Sequence, residues 1–358
     1  MNENAFPWIR SRRWDLAWLI GTALIVPAGL LFVWSGAPAD WVNLIVTGLV
    51  GGPHLFATFL ATYFNPGFRR GHAWFLVAVS ILVPALVLFL TLTNFQLLLS
   101  VFVFSASLHV FHQHAFIADV YRRRSGLLQP ASYRALDYLV LGLAFYPIAT
   151  SRLVRGDFAM GDVAILVPSF LLHEALVWSV FAAFGIACAL WIAKTAVEWR
   201  RGELNVPKTA LIGTAATIAF LIPLAERGER MELAFQCVNA WHSLQYLALV
   251  WLSLNTARVG TASQPRWTSA RFYGLCLAAT AGIFGFVFAL QAVDPFSLGA
   301  SQYYYLAVLS VLLIHYVLDG YLFLVSTAPG QSIDRNLYAA PAQTGRARMV
   351  LAEAGRRA

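Results

Sequence analysis

Long apolar runs alternate along the chain with short polar connections rich in arginine. A helix needs about 17–25 mostly apolar residues to cross a hydrocarbon core of about 30 Å. Ten runs meet that length, at 15–35, 41–64, 73–93, 95–118, 136–151, 173–196, 207–225, 232–254, 270–291 and 303–326, the fifth being short. They predict an all-α fold, a polytopic integral membrane bundle of about ten transmembrane helices. The stretch 158–172 reads as interfacial. Residues 1–327 form one membrane domain, and the small-residue-rich, basic stretch 328–358 predicts a mobile cytoplasmic tail. The run at 15–35 follows an Arg-bearing segment and is too long for the core of a signal peptide, so it predicts a retained first helix.

Composition agrees with this reading. The 358 residues are 59% hydrophobic and 12% charged, with a mean hydropathy of +0.67, outside the range of ordinary soluble domains. The net charge of +8 would suit nucleic acid if it were clustered on a soluble domain, but it falls in the connections. With ten crossings, 21 of the 25 Lys and Arg lie on one side, leaving Arg152, Arg155, Arg227 and Arg230 on the other. The positive-inside rule then places both termini and the loop at Arg122–Arg124 in the cytoplasm of a bacterial-type inner membrane, with Asp157 and Glu229 outside. Nucleic acid is excluded as a partner on this reading, and the lipid bilayer takes its place. Cys188, Cys237 and Cys276 are far apart within apolar runs, so neither a disulfide framework nor a thiolate metal site is expected.

Candidate chemistry lies in the histidines. The stretch Ser105–Arg124 carries His109, His112 and His114 into an apolar helix, and ionisable groups at such depth usually face a polar interior where they act as ligands or relays. Four even-numbered runs carry a histidine near mid-span: His54, His109, His242 and His315. Counted from the start of each run they are the fourteenth, fifteenth, eleventh and thirteenth residues respectively, a spread in depth of about 6 Å at ~1.5 Å per residue. One layer can hold all four. His112 and Asp319 follow His109 and His315 by three and four residues, on nearly the same faces, and complete a six-residue metal-ligand candidate set. Asn239, Gln245, Tyr246 and Asp119 are candidates to orient those ligands. Imidazole and carboxylate suit iron, zinc, copper or manganese. His114 reads as an interfacial side chain, and His72 and His173 as boundary residues. Gly51-Gly52-Pro53, just before His54, predicts a kink or a packing notch beside the site.

Pro53-His54 after two glycines, histidines on several membrane helices, and the late pair His315/Asp319 resemble the Brp/Blh-type bacterial β-carotene dioxygenases. Leu55 stands where that family has Gly, and Asp319 where it has a second His. The resemblance implies a polytopic enzyme holding non-haem iron through intramembrane histidines. Three functions follow as expectations. One is a membrane oxidoreductase or oxygenase acting on a hydrophobic small-molecule substrate, with a redox partner. Another is a haem b electron-transfer protein with axial histidines. The third is a proton-coupled transporter using the His/Asp cluster as a relay.

Overall fold

The computed structural model describes residues 7–160, 162–225, 231–256 and 267–324. They fold into a helical bundle, with a two-residue β-hairpin as the only strand pairing among them. The helices are α1 (residues 12–34), α2 (residues 39–61), α3 (Pro66–Thr93), α4 (Phe95–Arg124), α5 (Ala131–Leu143), α6 (Tyr146–Arg155), α7 (Glu174–Arg200), α8 (Val206–Ala225), α9 (Met231–Thr256), α10 (Ser269–Val293) and α11 (Ala300–Leu324). Seven of them, α1 to α4, α7, α10 and α11, are long and apolar enough to cross a membrane. Their outward faces present Leu24, Ile81, Leu82, Ile186, Leu190 and Phe288 uncovered. An apolar surface of that extent belongs in lipid, and the chain is a membrane protein.

Among the described residues each of the ten predicted runs is helical, but the run 136–151 is two helices, α5 and α6, interrupted at Ala144–Phe145 just ahead of Pro147. Both pack on α7. α9 lies outside the set of seven because Gln236, Asn239, His242 and Gln245 interrupt its apolar sequence. The stretch 158–172 folds as the hairpin Ala159–Met160 against Val163–Ala164, followed by a 3₁₀ turn at Ser169–Leu171. The tail predicted at 328–358 lies outside the described residues.

Two helices depart from regular α geometry where the sequence offers glycine. α1 contains a π-helical stretch, Leu16–Ile20, then a 3₁₀ turn from Gly21. α2 contains a π-helical stretch, Val46–Gly51, immediately ahead of Gly52-Pro53-His54. Widened turns leave carbonyls without an intrahelical donor, which inside a membrane must be met by a side chain. Gln245 Nε2 donates to Leu19 O at 2.5 Å, and Tyr273 Oη to Leu49 O at 2.6 Å. Gly52 also serves packing. A Cβ there would lie 2.2 Å from Thr280 Cγ2 of α10 and 2.9 Å from Thr47 O. The π-helical stretch and the packing notch therefore adjoin at Gly51-Gly52.

Two polar clusters pin the end of the bundle that carries Arg122–Arg124. Buried Asp15 accepts from the backbone N–H groups of Ile9 and Arg10 at 2.6 and 3.1 Å and from Tyr121 Oη at 3.0 Å, tying α1 to α4. Asp137 of α5 pairs with Lys194 of α7 and, at 2.8 Å, with Lys208 of α8, while Trp191 Nε1 donates to it at 2.9 Å. Glu198 lies 3.5 and 3.9 Å from the two ammonium groups. Two cations and two anions, all buried, compensate one another.

Candidate metal centre

Four helices meet at one buried layer. α2 supplies His54 and, one turn on, Thr58; α4 supplies His109; α9 supplies His242 and Tyr246; α11 supplies His315 and Asp319. All seven side chains are buried. Helical spacing accounts for each pair, since residues four apart stand on one face about 6 Å apart along the axis.

The nitrogens face one another. His315 Nε2 lies 2.7 Å from His54 Nε2 and 3.2 Å from His109 Nε2. Asp319 Oδ2 lies 3.6 Å from His315 Nε2 and 3.9 Å from His109 Nε2. The His242 ring centroid is 4.8 Å from that of His54 and 4.9 Å from that of His109. Two sets, His54/His109/His242 and His109/His315/Asp319, have ligand atoms all within 4.8 Å of one another and share His109. Two ligands about 2.1 Å from one ion lie about 3.0–3.4 Å apart at right-angled or tetrahedral geometry. The contacts of 2.7–3.9 Å bracket that span, so the donor set fits a metal ion.

Below this layer a short polar chain holds His315 and Asp319 in place. Thr58 Oγ1 lies 2.6 Å from His315 Nδ1, 2.5 Å from Tyr246 Oη and donates to Asp319 Oδ1 at 3.0 Å. Tyr246 Oη donates to the same oxygen at 2.5 Å. Asp319 thus has Oδ1 engaged by two hydroxyls, while Oδ2, buried and without a hydrogen-bond partner, is turned to the imidazoles. His54 Nδ1 and both nitrogens of His242 are likewise buried without a hydrogen-bond partner.

Of the six residues expected as ligands, the structure brings five together: His54, His109, His242, His315 and Asp319. His112 stands apart, half-buried, with its ring 5.5 Å from that of Phe323. Three residues along a helix add a rise of about 4.5 Å and a turn of about 60° off the face of His109, enough to miss the layer. Tyr246 touches the cluster, with its ring 4.6 Å from that of His54. Gln245 instead braces α1 and accepts from Gln113 Nε2 at 3.2 Å, while that same amide donates to the carbonyl of His242 at 3.0 Å. Asp119 lies ten residues past His109 and holds Arg122 at 3.1 Å and Arg134 at 2.6 Å, so it orients arginines and no ligand. Asn239 lines the cavity described next. His114 is fully buried, its ring 4.8 Å from that of Trp241, which corrects its assignment to the interface. His72 marks a kink in α3 and lies 2.6 Å from Tyr321 Oη, and His173 is exposed ahead of α7.

Two neighbours escaped the sequence reading. Thr58 follows His54 at i+4, a spacing that was legible. Tyr316 stacks on His109 with centroids 4.3 Å apart, a contact set by the rotation of α11 and without a sequence signal.

A cavity of about 150 Å³ is lined by His54, His109 and His242 but, among the described residues, not by His315 or Asp319. Ile283, Phe284, Val308 and Leu312 give it apolar walls, and Gln236, Asn239 and Ser243 give it a polar stripe on α9. No protein-family model, curated protein or solved structure matches this chain.

Proposed function

We propose that this protein is an integral-membrane oxidoreductase or oxygenase that binds non-haem iron through His54, His109, His242, His315 and Asp319 and acts on a hydrophobic substrate entering from lipid. The observation that supports it is the convergence of four imidazoles and a carboxylate from four helices on one buried point that adjoins an apolar cavity. Imidazole and carboxylate ligands suit iron, and an open metal position can bind dioxygen or polarise a substrate oxygen. The protein's own contribution is positional. Thr58 and Tyr246 fix the carboxylate of Asp319 through Oδ1 and leave Oδ2 facing inward. Thr58 also engages His315 Nδ1, which presents Nε2 to the centre. The surrounding helices exclude water, which strengthens each of these electrostatic contacts. The edge-to-edge meeting of Nε2 atoms at 2.7 and 3.2 Å favours a bare ion over haem, whose ring would need a slot between two axial imidazoles.

The same reading includes ten crossings, with α5 and α6 together making one, both termini in the cytoplasm, residence in the inner membrane and a redox partner that supplies electrons. The distribution of arginine supports the orientation. Elemental analysis and an optical spectrum of the purified protein test the central claim. Stoichiometric iron without a Soret band is expected. His315→Ala should lose the metal, and Asp319→Asn should weaken its binding by about tenfold or more. A Soret band would assign the site to haem. Absence of any metal, or metal content unchanged in both variants, would leave the cluster to proton relay and overturn the proposal.

A further inference from the structure

The cavity beside the histidines carries more hydrogen-bonding capacity than a hydrocarbon can use. Gln236, Asn239 and Ser243 lie on one face of α9 at i, i+3 and i+7, and all three line it. Among the described residues neither amide has a hydrogen-bond partner, and Ser243 Oγ is fully buried without one. The Asn239 amide nitrogen stands close to Gly51, which has no side chain to obstruct it. Unpaired polar groups at membrane depth are costly, and a site that keeps them is built to pair them with something that arrives. The volume limits what arrives. A cavity of about 150 Å³ holds a benzene-sized ring, and the value here is about 150 Å³. A whole polyene does not fit, but one ring at the end of a longer lipid does.

We infer that the cavity takes the head of a ring-ended lipid bearing carbonyl or hydroxyl oxygen on the ring, the chemistry of a quinone or quinol, held by Gln236, Asn239 and Ser243 with its tail left in the bilayer. This rests on the reading of the cavity as the approach to the histidine cluster and adds the class of molecule that approaches. Amide N–H groups donate to a ring carbonyl, and amide and serine oxygens accept from a ring hydroxyl. A bare hydrocarbon ring of the same size satisfies none of them, and sites built to hydrogen-bond a ligand oxygen discriminate strongly against the analogue lacking it.

The test compares a decyl-tailed p-benzoquinone with decylbenzene, matched in ring and tail, by calorimetric titration of the purified protein in detergent after subtracting micelle partition. The quinone should bind at least tenfold more tightly. Gln236→Leu and Asn239→Leu should each reduce quinone affinity by about tenfold, leave decylbenzene affinity equal or higher, and leave the metal content unchanged. Equal affinity for the two ligands, binding of neither, or quinone affinity unaffected in both variants would overturn the inference. The wild-type comparison needs no variant to fold. Loss of quinone preference with full metal content removes this inference alone. Quinone preference in a protein that binds no metal removes the catalytic reading and leaves the binding site.

Discussion

Removing the hydroxyl of Thr58 tests whether the polar chain under the histidines positions the proposed metal ligands. Thr58→Val keeps the branched shape at a fully buried position and deletes an oxygen that touches three groups: His315 Nδ1 at 2.6 Å, Tyr246 Oη at 2.5 Å and Asp319 Oδ1 at 3.0 Å. Tyr246 Oη still donates to Asp319 Oδ1, so the carboxylate keeps one of its two hydroxyl partners. His315 Nδ1 keeps none. A buried polar atom left without its partner costs about 1–3 kcal/mol, and loss of a group that orients a metal ligand typically weakens metal affinity about 10–100-fold. The expected result is therefore a fall in metal affinity of at least about tenfold, measured by competition with a chelator, together with a lowered unfolding temperature of the metal-free protein in detergent. Thr58→Ser retains the oxygen and should restore most of both. Wild-type metal affinity in Thr58→Val would show that His315 is held by packing alone and would refute the role given to this chain of contacts.

Gly52→Ala should destabilise the bundle by about 1–3 kcal/mol, the usual cost of overpacking, because its Cβ would meet Thr280 Cγ2 at 2.2 Å. Thr280→Ala in the same chain should recover part of the loss in a thermal unfolding series, and a strictly additive double variant would contradict the close approach. Lys208→Met should cost about 3–5 kcal/mol by leaving charge unpaired in a buried quartet, since its ammonium lies 2.8 Å from Asp137 Oδ2; unchanged stability to denaturant would show that Lys194 alone neutralises Asp137. An engineered cysteine in place of Asp157, whose side chain is half exposed, should react with a membrane-impermeant maleimide in intact spheroplasts. Labelling only after the cytoplasmic membrane is permeabilised would invert the orientation.

The depth argument carried the centre of this site. Four histidines at matching positions in four runs, read only as counts along each run, are the four that the structure gathers, and Asp319 joins them because i+4 preserves the face. Where the argument moved by three residues it lost accuracy. His112 is a turn below His109 and far enough around α4 to pack on Phe323, and Asp119 is too far along α4 to touch a ligand. Helix identity was also legible, because apolar length is a strong signal, whereas the break between α5 and α6 depends on Pro147 inside a run whose hydropathy does not fall. The burial of His114 was hidden for a related reason. Its position near the basic end of α4 suggested the interface, but α9 packs against that face and places Trp241 over it.

The proton inventory of the cluster argues for an ion more strongly than proximity does. A neutral imidazole has one N–H and one lone pair. Without metal, the arrangement that uses most contacts gives N–H groups on Nε2 of His54 and His109, both pointing at a bare Nε2 of His315, whose Nδ1–H then donates to Thr58. Thr58 and Tyr246 pass their hydrogens to Asp319 Oδ1. That scheme asks the one lone pair of His315 Nε2 to serve two donors and supplies no hydrogen to the 2.5 Å contact between Thr58 Oγ1 and Tyr246 Oη, and it leaves His54 Nδ1, both nitrogens of His242 and the inward oxygen of Asp319 without hydrogen-bond partners. Four such atoms at about 1–3 kcal/mol each total about 4–12 kcal/mol, comparable to the whole stability of an ordinary fold. His242 and Asp319 Oδ2 would be among the groups to hold a divalent ion placed between the nitrogens, and its positive charge would replace the two Nε2 hydrogens that converge on His315 and would neutralise the carboxylate. The cost falls most on His242, which has no hydrogen bond through either nitrogen and is the histidine whose position the metal-free network explains least.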